Sequence, residues 1–93
     1  TVVSGTPTPE LISSTVQSQP WKELTFVILQ VDERNWIEVS GSLAPGVGLS
    51  ARYMQKGKEY VSARPPASLR EGEALLLSYL AGDDRWRTMI AWE

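Results

Sequence analysis

The sequence predicts an α+β fold in two layers. Its antiparallel sheet of about five strands is joined by two helices, in the order α-β-β-β-β-α-β. Three observations lead there. Residues 24–31 are a β-branched, apolar run, and alternating segments come after it, separated by short polar turns. Two stretches with helix-start chemistry flank that strand-rich middle. The length, 93 residues, is that of one domain, and a composition of 42% hydrophobic and 22% charged residues is ordinary for a globular one.

Residues 1–7 are small, polar and punctuated by Gly5 and Pro7, and they read as a flexible terminus before a single domain over residues 8–93. Thr8 suits a helix cap, Pro9 the first helical position, and Glu10 the positive end of the helix dipole. Leu11, Ile12, Thr15 and Val16 share a face, and Pro20 stops the helix. Residues 24–31 are apolar on both sides, as a central strand is. After the polar turn 32–35, residues 36–41 alternate, with Ile37 and Val39 on one side and Trp36 and Glu38 on the other. Val47, Leu49, Ala51 and Tyr53 mark the next strand. Lys56-Gly57 turns the chain into a strand over 59–63, and Pro65-Pro66 closes the run.

Ser68 with Glu71 three residues on matches a capping box. Leu69, Leu76, Leu77 and Leu80 then form a helical stripe that ends near Gly82. Trp86, Thr88, Ile90 and Trp92 alternate with Arg87, Met89 and Ala91 as a last strand.

The chemistry is defined mainly by what is missing. There is no His and no Cys, which removes the commonest general base, the thiol nucleophile and the usual zinc ligands, so neither catalytic residues nor a metal or other cofactor is expected. The carboxylate pairs Asp32/Glu33, Glu71/Glu73 and Asp83/Asp84 fall in turns or on a helix exterior, where water keeps them ionised. Gly46-Val47-Gly48-Leu49-Ser50-Ala51 fits the letters of a dinucleotide-binding loop. The residues after Gly48 alternate like a strand, and a strand offers no cluster of free N–H groups to a pyrophosphate.

The net charge is −2, which argues against nucleic acid as a partner. It is unevenly spread: residues 1–50 hold two basic and five acidic groups, residues 51–93 seven and six. No apolar run approaches the roughly 20 residues that span a bilayer, so no membrane partner is expected. The absence of cysteine suits a reducing cytoplasm.

Four Trp are many for this length. Trp36 lies with Glu38 and Ser40. If that side faces solvent, it has the look of a binding hot spot; if the N-terminal helix covers it, Trp36 is core. The expected partner-binding residues are Trp36, Glu38, Asp32, Glu33, Asp83 and Asp84.

Tyr60, Pro65-Pro66, the helix over 68–80, Tyr79-Leu80-Ala81-Gly82 and the closing Trp92 resemble a family of small bacterial immunity proteins that accompany polymorphic, contact-delivered toxins. The resemblance spans about 35 residues. The family pattern often has Pro after the helix-terminal Gly, where this chain has Asp83. The resemblance implies a cytoplasmic protein that neutralises a cognate toxin by binding it. A domain whose sheet and helices enclose an aromatic-lined pocket for a small ligand or lipid is the alternative expectation.

Overall fold

The computed structural model describes every residue except Gly5, Thr6, Pro65 and Ala67. Pro65, expected to close the strand run, and two positions of the expected flexible terminus therefore lie outside the described residues.

Three helices lie against one five-stranded sheet, which makes the fold α+β. The order is β1 (Val2–Ser4), α1 (Pro9–Ser18), β2 (Thr25–Asp32), β3 (Asn35–Ser42), β4 (Gly48–Gln55), β5 (Lys58–Val61), α2 (Leu69–Ala81) and α3 (Arg85–Met89). The strands lie side by side in sequence order. β2 to β5 form an antiparallel meander, and β1 joins its edge in parallel with β2.

The ends of the chain differ from the sequence expectation. Val2–Ser4 is a strand: Val3 pairs with Leu29 and is buried, and the Ile28 N–H donates to the Thr1 carbonyl at 2.9 Å. Two β-branched residues suffice because β2 presents a ready edge. At the other end, the expected strand through Trp86 is the short helix α3. Trp86 and Ile90 are both buried, and a spacing of four fits a helical turn as well as it fits alternation. Local hydrogen bonds decide between them. The Asp83 carboxylate accepts from the Ser78 hydroxyl and, at 3.0 Å, from the Arg85 N–H, while the Trp86 N–H donates to Ser78 Oγ at 3.0 Å. From Ile90 the chain returns to an extended path. There Val61 and Glu93 exchange two backbone bonds and Ala63 N–H donates to Ala91, which covers part of the β5 edge.

The helices begin where the capping chemistry placed them. Thr8 Oγ1 accepts from the Leu11 N–H and Ser68 Oγ from the Glu71 N–H, both at 3.2 Å. Gly82 closes α2 in the left-handed conformation. Leu75, outside the expected stripe, is fully buried beside Leu76, whereas Leu69, Leu77 and Leu80 are only partly covered. The helix meets both sheet and neighbouring helices, so its apolar arc is broad. Gly72 allows the approach: a Cβ there would sit 3.0 Å from Val39 Cγ1.

One core results. Val27, Leu29, Ile37, Val39, Ala51 and Tyr53 point from the sheet toward Ile12, Val16, Leu75, Leu76 and Trp86. Trp21 closes one end, its indole N–H donating to the Val16 carbonyl at 2.6 Å. No helix among the described residues is long and apolar enough to cross a membrane.

Candidate docking face

Strand alternation sends every second side chain away from the helices, and the register arranges these in three rows across the sheet. One runs Val2, Ile28, Glu38, Arg52, Val61. A second runs Ser4, Gln30, Trp36, Met54, Glu59, and a shorter one Phe26, Ser40, Ser50. All three helices contribute to the core on the opposite side, so no second layer covers this face among the described residues. Phe26 is 41% exposed, Val2 53% and Val61 46%. An antiparallel sheet with one bare side normally makes that side polar. Here apolar and aromatic side chains frame a central ionic group.

That group is Glu38, Arg52 and Glu59. Arg52 Nε donates to Glu38 Oε1 at 2.6 Å, and Nη1 donates to Glu59 Oε1 at 3.0 Å. The guanidinium carbon also lies 5.4 Å from the centre of the Trp36 ring. Two carboxylates against one guanidinium leave the centre net negative. The Glu38 bond holds Arg52 above its ordinary pKa, with burial opposing it. Glu38 itself is only 6% exposed, because Arg52 and its strand neighbours cover it. A groove of about 380 Å³ runs beside this pair, walled by Leu24 and Phe26 on one side and by Glu38 and Arg52 on the other, with Ser40 and Gly41 between.

The sequence-predicted residues divide between two places. Trp36 and Glu38 share the open face; α1 covers the other one, so the condition for Trp36 as core is not met. Asp32 and Glu33 are exposed at the β2–β3 turn that leads into Trp36. Asp32 Oδ1 accepts from the Arg34 N–H at 2.8 Å and from Asn35 Nδ2 at 3.0 Å, and these bonds, the Arg34 one foremost, lower its pKa. Asp83 and Asp84 lie apart from that face, on the α2–α3 connection. Both are engaged in ion pairs, Asp83 with Arg85 at 3.1 Å and Asp84 with Arg87 at 3.2 Å. The Arg85 side chain first, then Ser78, holds the Asp83 carboxyl at about 2.

Sequence reasoning missed Phe26, Ile28, Arg52, Met54, Glu59 and Val61. The signal was present: β2 is apolar at every position from Phe26 to Leu29, a pattern shared by strands covered on both sides and by strands with a second, exposed apolar face. Gly48 opens strand β4, so the glycine-rich 46–51 stretch meets no helix. Two of the cavities bordering the helix–sheet core hold about 80 Å³ each, and an open groove of about 320 Å³ lies beside Val16 and Leu69. Small-molecule sites usually span several hundred Å³.

Comparisons with protein-family models, with curated proteins and with solved structures find no match to this chain.

Proposed function

We propose that this chain is a protein-binding module that docks its partner on the open sheet face. In its most specific form it is a cytoplasmic immunity protein that neutralises a cognate toxin by direct contact. The open face carries the proposal: Phe26, Ile28, Trp36, Met54 and Val61 surround a fixed ionic group on a rigid sheet. Aromatic and Arg side chains held in place before encounter are the usual anchors of protein interfaces. The net-negative centre, with exposed Asp32 and Glu33 at the rim, favours a partner with a basic, apolar contact surface. Absence of His and Cys from the sequence supports a binder over an enzyme. The toxin assignment rests on the C-terminal resemblance.

The test is co-expression with the product of the adjacent reading frame. Growth of cells making that product should be rescued by this chain, and the two should co-purify. Phe26→Thr with Trp36→Thr should abolish both effects without unfolding the domain, because Thr retains strand propensity. Failure to co-purify, or full rescue by the double variant, rejects the reading.

A further inference from the structure

A second feature lies at one end of the sheet, where the α2–α3 corner meets the ends of β3 and β4. A notch of about 80 Å³ is lined by Asn35, Tyr53, Met54, Gln55, Tyr79, Trp86 and Arg87. Its polar groups can be counted. Asn35 is fully engaged: Nδ2 donates to Asp32, and Oδ1 accepts from the Lys56 N–H. Gln55 Oε1 accepts from Arg87 Nη1 at 3.1 Å, which leaves the Gln55 amide N–H groups. Arg87 Nε donates to Asp84, which leaves Nη2.

The Tyr53 and Tyr79 hydroxyls bond no other group among the described residues, although Tyr53 is only 7% exposed. No fully buried side-chain N or O among the described residues lacks a partner, so neither hydroxyl is sealed in the core, and both tyrosines line the notch. The lining thus offers two hydroxyls, an amide N–H pair and a guanidinium edge, and contains no carboxylate.

We propose that this notch binds a single carboxylate, with the Tyr53 and Tyr79 hydroxyls and the Arg87 guanidinium donating to its two oxygens. The volume admits an acetate-sized group, and a charged acceptor matches a surplus of donors better than a neutral one does. Burial raises the pKa of both tyrosines, so they are O–H donors at neutral pH. Two acids oppose the ligand: Asp32, whose charge reaches Tyr79, and Asp84, which is paired with Arg87. Affinity should therefore be in the millimolar range. The carboxylate comes either from a free small acid or from a Glu or Asp side chain of a polypeptide. Met54 borders both this notch and the open face, but the carboxylate is held by Tyr53, Tyr79 and Arg87, which the docking proposal does not use, so failure here would leave that proposal standing.

The test is an NMR titration of the whole chain at constant ionic strength, following the Arg87 Nε–H, the Gln55 side-chain amide and the tyrosine rings. Sodium acetate, N-acetylglutamate N-methylamide and neutral acetamide are the three probes, with sodium chloride as the baseline. Acetate should give saturable shifts, weakened at least fivefold in Tyr53→Phe/Tyr79→Phe. Tyr79→Phe alone, on a half-buried ring, serves if the double variant does not fold. Saturation by the glutamate amide as well would support a polypeptide source, and saturation by acetate alone a free acid. Shifts no larger than with chloride, equal binding of acetamide, or full retention in the Phe variants would overturn the proposal.

Discussion

The two faces of this sheet are built from the same strands, yet they differ in what their apolar residues do. On the covered face Val27, Ile37, Val39 and Ala51 are essentially inaccessible, held against Ile12, Leu75 and Leu76. On the open face Phe26 and Val61 are nearly half exposed and surround an ion pair. Apolar burial provides most of a domain's stability, so the covered face holds the fold. An apolar face left in water adds little to folding, and in the proposed reading it serves association with another surface.

Substitutions on the two sides should separate these roles. The largest effect is expected from Leu76→Ala, which removes a fully buried side chain between helix and sheet; urea unfolding should show a loss of about 3 kcal/mol. Gly41→Ala should come next, at about 2 kcal/mol or more. Its φ of +116° suits glycine, and a Cβ would stand 2.2 Å from the Gly48 carbonyl oxygen. Glu38→Gln should cost about 1 kcal/mol, since Arg52 is partly exposed and keeps Glu59. Phe26→Thr should be smallest, within about 0.5 kcal/mol of wild type. A loss at Phe26 as large as that at Leu76 would mean that the open face also holds the fold.

Acid titration sharpens the contrast at the helical corner. The Asp83 carboxyl is held at about 2 against an ordinary 3.8, so the unfolded chain binds its proton more tightly than the folded one. Its contribution is present in full above 3.8 and is lost as pH falls toward 2. Asp83→Asn should flatten the acid limb of a plot of Tm against pH within that window. An unchanged limb would show that the corner does not depend on this carboxylate.

Much of the meander and both long helices were legible because their signals are local: alternation, Lys56-Gly57, Thr8-Pro9 and the Ser68 capping box. The chain ends were not. Val2–Ser4 is too short to announce itself and depends on an edge supplied by β2, a non-local fact. Trp86 and Ile90 satisfy two periodicities at once, and the hydrogen bonds joining Ser78, Asp83, Arg85 and Trp86 select the helix. Of the candidate site, Trp36 and Glu38 were placed on one side correctly. Their neighbours Arg52, Glu59 and Phe26 come from other strands and need the register. That register also changes how Glu38 should be probed. It is buried under Arg52, so charge reversal there would disturb the sheet as well as any contact.

The most direct measurement takes one protein pair and two readouts: calorimetric affinity for the product of the adjacent reading frame, and the urea midpoint, in wild type and in Phe26→Thr. Affinity should fall at least tenfold, about 1.4 kcal/mol, while the midpoint stays within error. Unchanged affinity in a folded Phe26→Thr would contradict the assignment of the open face as the docking surface.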